Sequence, residues 1–285
     1  MLGAIGDLLE DVVVRLHERV NVASDTDATV LRRRGGSAAN VVESAVRAGG
    51  RARFIGQVGD DGVGRWLTEQ LVSLGAEVAG PRSGRTGTII VLLDANGERT
   101  MLADRAAAMQ LSNPDPAWLE GLHTLHIPFY SLAVEPLGDT TRTLARWAHE
   151  RGIRVSVDAS SAAVLTNYGI DRAGDAIWAL NPDVLLANEL EAEVLGHRLR
   201  GPAHDGCLVV VKQGAGPAIV TRADLGTVEV PSIALDGVTD TTGAGDAFAA
   251  GLLLALSDGA DPVAAVGRGH EVAAQQVRAA SSPYW

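Results

Sequence analysis

The 285-residue chain holds one cysteine, Cys207. An intramolecular disulfide and a cysteine-based metal cluster are therefore excluded, and the neighbours Leu208 to Val211 mark this thiol as part of a buried strand. Aromatic residues are scarce, with 3 phenylalanines and 3 tyrosines, so the core has to be assembled from alanine, valine and leucine. Positive charge is also short: the formal net charge is −11. Nucleic acid and anionic membranes call for a basic face, so neither is expected as a partner. Any polyanionic ligand must be held by local donors. No window approaches the ~20 apolar residues that cross a bilayer. The N-terminus, Met1-Leu2-Gly3-Ala4-Ile5-Gly6-Asp7, lacks the basic and apolar regions of a signal peptide, and a cytoplasmic location is the expectation. Gly-x-x-x-x-Gly-Lys-[Ser/Thr], His-Glu-x-x-His and Gly-x-Ser-x-Gly are all missing, which removes the Walker-type phosphate loop and the commonest metalloprotease and hydrolase chemistries.

Glycine is plentiful, with 33 residues, and its placement organises the chain. In Asp240-Thr241-Thr242-Gly243-Ala244-Gly245-Asp246, two glycines precede the apolar run from Ala247 to Leu256. A sharp turn into a helix at this point lets backbone N–H groups converge on an anion. Asp246, in the first turn, lies beside the place of a phosphoryl group, a position that suits a general base. An ordinary strand-to-helix turn with an acid favoured by the helix dipole accounts for the same residues.

Elsewhere the pattern alternates between strand and helix. Residues 1–6 read as a strand, with Val12-Val13-Val14 continuing as a β-branched run, and Asp11 is expected near the end of the first strand, facing the crevice where open α/β sheets bind ligands. A solvated loop acid fits Asp11 equally. Gly35-Gly36-Ser37-Ala38-Ala39-Asn40 opens a second helix, and the Asn40 amide suits vicinal hydroxyls. The preceding Arg32-Arg33-Arg34 is a solvated edge or a phosphate clamp. Arg53–Val58 is a strand and Val63–Leu74 a helix. Thr86–Leu93 and Glu98–Ala103 flank Asn96-Gly97, a type I′ hairpin signal, whose strands are expected to join those near 12–16 in a small separate sheet. From Thr124 onwards strands at Thr124–Ile127, Ile153–Val157, Val184–Ala187 and Cys207–Lys212 alternate with helices, the last at Pro262–Ala280. This alternation predicts a mostly parallel α/β sheet with helices on both faces.

Asn188 and Glu191, spaced i, i+3 at a helix start, suit a hydrated Mg²⁺ and equally an N-terminal capping box. Lys212-Gln213-Gly214 ends a strand at the same edge, where the lysine would meet a nucleotide phosphate as a point charge.

Taken together, Gly35 to Asn40, Phe54-Ile55-Gly56-Gln57-Val58-Gly59-Asp60-Asp61 with Gly64, Asn188-x-x-Glu191, and Asp240 to Asp246 resemble, in order and spacing, the signatures of the ribokinase-like (PfkB) carbohydrate kinase family. The resemblance runs from about residue 3 to 278. It implies an ATP-dependent phosphotransferase, a single domain over 1–285 with a doubly wound, mostly parallel α/β sheet flanked by helices, and a small β-sheet lid from about 12–34 and 86–104 closing over a sugar. It further implies Asp246 as catalytic base and an anion hole from the amides around Gly243, Ala244 and Gly245. Substrate would be bound by Asp11, Gly35, Gly36, Asn40 and Arg105, and the nucleotide by Asn188, Lys212, Gly214 and His270. Mg²⁺ would be held through water by Asn188 and Glu191, and a monovalent cation such as K⁺ by Asp240 with the Thr242 carbonyl. Three places depart from the family pattern. Ala106-Ala107-Ala108 stands where Gly-Ala-Asn is frequent, Ser37 replaces a frequent lysine, and the stretch from Arg278 to Trp285 lacks the usual Gly-Ala segment. A nucleoside acceptor would want an aromatic clamp, for which Tyr130, Phe129 and Trp66 are the candidates. A sugar-phosphate acceptor would use Arg32, Arg33, Arg34, Arg99 or Arg105, and a non-catalytic nucleotide- or sugar-binding regulator is the rival of another class. Exposed lid edges suggest a homodimer.

Overall fold

The structure is a computed structural model that describes residues 1–94, 99–200 and 206–281. In chain order the described elements are β1 (Leu2–Ile5), β2 (Leu9–Leu16), β3 (Ala28–Gly35), α1 (Ser37–Arg47), β4 (Ala52–Ile55), α2 (Gly62–Ser73), β5 (Glu77–Ala79), β6 (Thr88–Leu93) and β7 (Arg99–Asp104). They continue with β8 (Thr124–Pro128), α3 (Leu137–Glu150), β9 (Arg154–Asp158), α4 (Ala162–Tyr168), α5 (Ile170–Ala179), β10 (Val184–Asn188) and α6 (Glu189–Leu195). The chain closes with β11 (Leu208–Lys212), β12 (Ala218–Arg222), β13 (Gly226–Val230), α7 (Ala244–Ser257) and α8 (Pro262–Ala280).

The main sheet has the order β13-β12-β11-β10-β9-β8-β1-β4-β5. It is parallel except at β12 and β13, which are antiparallel. Strands covered on both faces need no polar alternation, and Leu185, Leu186 and Ala187 of β10 are accordingly all inaccessible. Apolar clusters fill both faces of the sheet. Helix α7 is apolar all round because α1 and α8 pack against it, with Leu252 and Leu253 at 0% exposure. Each such leucine contributes about 1.5–3 kcal/mol of burial. Strand order reverses between β1 and β8, so the carboxyl ends of the strands around this switch point form the binding crevice.

The lid is the second sheet, β3-β2-β6-β7, with β2 parallel to β6 and antiparallel to β3. Its root is tied to the main body by Asp61, the N-cap of α2, which accepts hydrogen bonds from Thr86 N at 2.7 Å and Thr86 Oγ1 at 2.6 Å. The Asn96-Gly97 turn lies outside the described residues, but β6 and β7 pair antiparallel as the hairpin requires. Two expectations need correction. Asp11 is not at the end of the first strand but inside lid strand β2; the acid that follows β1 is Asp7. The arginine run, read as a solvated edge or a phosphate clamp, is divided near the end of β3: Arg32 is exposed, Arg33 faces Asp11 across the strand pair, and Arg34 is buried.

Candidate active site

The turn before α7 takes its shape from Gly243, whose φ of 77° is left-handed, a conformation in which a Cβ is disfavoured. The turn is held from behind by α8 and the residue after it. Gln276 Nε2 donates to the Thr242 carbonyl at 3.2 Å, and Ser281 Oγ accepts from Asp240 N at 3.2 Å. Asp246 therefore sits at a fixed place in the first turn. Ser37 Oγ donates to its Oδ1 at 2.7 Å and Asn40 Nδ2 to its Oδ2 at 2.9 Å. Both donors come from α1, whose N-cap is Gly36. A φ of 103° and the Asp7 carbonyl, 2.3 Å from where a Cβ would stand, restrict this position to glycine. Burial pushes the Asp246 carboxyl up to about 6, the Asp158 charge adds to this, and the two hydrogen bonds and Lys212 oppose it.

On one side of Asp246 lies a cavity of about 480 Å³. Its lining includes Gly243, Ala244, Gly245, Lys212, Gly214 and His270, together with Asn188 and Glu191. Lys212 Nζ stands 3.5 Å from where a Cβ on Gly245 would be and donates to Asp158 Oδ2 at 2.6 Å. Burial acts to lower the Lys212 ammonium, yet the Asp158 carboxylate outweighs it and the group stays above its ordinary value. Asn188 and Glu191 form a complete capping box: Glu191 accepts from Asn188 N at 2.8 Å and Nδ2 at 2.7 Å, and Asn188 Oδ1 accepts from Glu191 N at 2.9 Å. Burial and the nearby Asp158 carboxylate push the Glu191 carboxyl up to about 7. His270 packs edge-on against Phe248 at 5.1 Å, and its Nε2 is buried without a hydrogen-bond partner among the described residues.

On the other side lies a cavity of about 310 Å³ beneath the lid, lined by Asp11, Gly36, Asn40, Arg105 and Asp240, with the apolar underside Val13, Ile89 and Val91 above. Asp246 and Ser37 border both cavities. Burial raises the Asp11 carboxyl against the pull of Arg33, and its only described charged neighbour within 4 Å is Arg33 at 3.8 Å. Gly35 is not a lining residue; its backbone backs Asp11, whose Oδ1 lies 2.2 Å from the place of a Cβ. Arg105 binds the buried Asp7 and covers the Tyr130 ring at 4.3 Å. Among the aromatic candidates only Tyr130 lines this cavity, since Phe129 is in the core at 0% exposure and Trp66 packs on the apolar cluster of the α1 side. Asp240 accepts from Thr242 N at 2.8 Å and Oγ1 at 2.5 Å, with Arg33 at 4.0 Å.

Three site residues escaped the sequence reading. Asp158 and Asp7 are acids at the carboxyl ends of parallel strands, where ligands of such sheets gather. Ser37 faces Asp246 one helix turn from Asn40. The weight of Lys212 was also legible: it is the only lysine among 24 basic residues.

The sheet thus brings together a carboxylate, Asp246, that borders two cavities and a glycine turn and a lysine, Lys212, that line the larger of the two. The model of the pfkB family carbohydrate kinases matches residues 2–283. A fructokinase of Klebsiella pneumoniae is 32% identical over 255 residues, covering 84% of this chain and 81% of its own length. An ATP-dependent ribose-1-phosphate kinase of Halopiger xanaduensis is 33% identical over 261 residues, covering 87% and 82%. The crystal structure of adenosine kinase from Sinorhizobium meliloti superposes with a TM-score of 0.85 at 23% identity, over 97% of this chain and 93% of that one. The chain belongs to the PfkB family of carbohydrate kinases, and its fold is ribokinase-like. It is an ATP-dependent phosphotransferase. No helix among the described residues is long and apolar enough to cross a membrane.

Proposed function

We propose that the chain, folded as a single domain with its lid, transfers the γ-phosphoryl group of ATP to a hydroxyl of a neutral sugar or sugar-like acceptor, with Asp246 as general base. The observation that carries this is the shared position of Asp246, which borders both cavities. Its carboxylate takes the hydroxyl proton as the acceptor oxygen bonds to the γ-phosphorus and the bond to the ADP oxygen breaks. Positioning and charge stabilisation dominate such a reaction. Amides of Gly243, Ala244 and Gly245, with the Lys212 ammonium, face the developing charge. Lid closure over the acceptor excludes water.

A divalent cation fits the phosphate side. Glu191 and Asp158 are two neighbouring carboxylates, Glu191 is raised by the repulsion and burial, and Mg²⁺ asks for no more than one or two protein carboxylates beside phosphates and water. Asn188 and Glu191, with Asp158, would hold it through water, and it would supply charge neutralisation on the phosphates. At the Asp240 position Arg33 already carries positive charge and Gln276 occupies the Thr242 carbonyl, so we expect turnover to be equal in sodium and potassium buffers.

The acceptor cavity favours a neutral ligand: Asp7, Asp11, Asp240 and Asp246 face only Arg33 and Arg105 there. Asp11 accepts from acceptor hydroxyls, and the apolar lid underside covers either a sugar ring or a nucleoside base. ADP release from Mg-ATP is therefore expected with unphosphorylated pentoses, hexoses or nucleosides and at background with their monophosphates. Faster turnover of a sugar phosphate, or silence across the panel with ATP still bound, would overturn this acceptor class.

The outer lid face supports a homodimer. Residues of the pocket face alternate with Val12, Val14, Val30, Ile90 and Leu102 on the other, where Val30 is 59% and Leu102 52% exposed. Sedimentation is expected to show twice the chain mass; the mass of one chain at every concentration would refute it.

A further inference from the structure

The groups that hold Asp246 are themselves held in one direction only. Arg34 of β3, its side chain 7% exposed, donates through Nη1 to Asn40 Oδ1 at 3.2 Å, while its Nη2 binds Glu43. Glu43 also accepts from Arg47 Nε at 2.7 Å. A chain of contacts therefore runs from the surface of α1 through Arg34 and Asn40 to Asp246. Its polarity has one solution. A guanidinium can only donate and a carboxylate can only accept, so an amide between them must present oxygen to Arg34 and nitrogen to Asp246.

We propose that Arg34 is a positioning residue for phosphoryl transfer, locking the Asn40 amide so that Oδ2 of Asp246 always faces a donor and the acceptor's proton is taken on Oδ1. Ser37, the partner of Oδ1, is a hydroxyl that can rotate from donating to accepting once the proton arrives. Asn40 cannot turn in the same way without setting its NH₂ against the guanidinium. Arg34 thereby assigns different tasks to two otherwise equivalent oxygens. It also favours the ionised base, because the flipped amide that would accept from a protonated Asp246 is blocked. The other charged or titratable groups whose fields couple to Asp246 are Tyr130 after β8, Asp158 of β9, Glu191 of α6 and Lys212 of β11. None of them has a hydrogen bond to Asn40. Arg34 is the penultimate residue of β3 and Asn40 lies one turn into α1.

This rests on Asp246 as the base, and the experiment separates the two ideas. The pH dependence of kcat/KM for the acceptor is measured for the wild type and for Arg34→Met, Arg34→Lys, Asn40→Ala and the double variant Arg34→Met/Asn40→Ala. Loss of a nearby opposite charge and of a locked donor moves a carboxylate by about one pH unit. The acid limb of Arg34→Met is thus expected about one unit higher, with the rate on that limb about tenfold lower and the high-pH plateau reduced less. Arg34→Lys, which can also only donate, returns the limb toward its wild-type place. In the Asn40→Ala background, Arg34→Met produces a smaller further shift, because only the loss of its charge remains. An unmoved limb, an equal loss at all pH values, or the same shift with Asn40 absent would each overturn the proposal. If Arg34→Met does not fold, Arg34→Met/Glu43→Leu, which leaves no unpaired carboxylate, is measured in its place. A limb that persists unchanged in the residual activity of Asp246→Asn defeats the base assignment. A limb that vanishes in Asp246→Asn but ignores Arg34 defeats only the positioning role.

Discussion

Asp246→Asn is expected to lower kcat by about 10²–10⁴-fold, the range supplied by a positioned general base. ATP binding should change far less, because the anion-holding turn presents backbone amides and its shape comes from Gly243, Gln276 and Ser281. The substitution keeps the size of the side chain but cannot accept the acceptor's proton, while its oxygen still accepts from Asn40 and its NH₂ donates to the Ser37 hydroxyl. Its pH dependence carries the sign. With a carboxyl pushed up to about 6, the base is ionised above that value and protonated below it. Wild-type kcat/KM for the acceptor should therefore fall by about tenfold per pH unit below the midpoint. Activity in Asp246→Asn above a few per cent of wild type, or a wild-type rate equal at pH 5 and pH 8, would remove the assignment.

The second large effect is expected at Lys212. Lys212→Met should cost about 10²–10³-fold in kcat/KM for ATP, as loss of one preorganised donor to developing charge does. It should also lower thermal stability. Lys212 and Asp158 are only 14% and 11% exposed, and breaking a buried pair from one side leaves an uncompensated charge at about 3–5 kcal/mol. Lys212→Met/Asp158→Asn removes that second penalty but not the first, so recovery of stability without recovery of rate is the expected pattern. Recovery of both would make the lysine a structural partner of Asp158 and nothing more. Since the chain has a single lysine, protection of that side chain by ATP from an amine-reactive probe offers an independent check. Arginine is a poor replacement here, because a compact ammonium fits beside Gly245 where a planar fork does not.

Both sites differ in how far they could be read in advance. The Gly243 turn into α7, the capping box of Asn188 and Glu191, and the strand ending in Lys212 are each contiguous, and their conformation follows from local geometry. So do the parallel sheet and helix α8, whose bounds match the expected Pro262–Ala280. Strand β3 was hidden because Arg32, Arg33 and Arg34 interrupt its apolar pattern. In the structure those side chains have separate tasks. Arg32 pairs with Glu10 at 2.8 Å, Arg33 stands between Asp11 and Asp240, and Arg34 turns inward to α1. Asp11 was misplaced because nothing local shows that the lid strand begins as early as Leu9, two residues before it.

By itself, then, the sequence determined the fold class and the alternation of strands and helices from Thr124 onwards, because periodicity and turn chemistry act over a few residues. Only the tertiary structure decided which side chains share a charge. Arg105 reaches Asp7 across 98 positions, and Asn40 and Ser37 reach Asp246 across 206 and 209. Contacts of that span are set by where the lid and α1 come to rest on the sheet, and the protonation of Asp246, Glu191 and Lys212 follows from that placement through burial and the distance between charges.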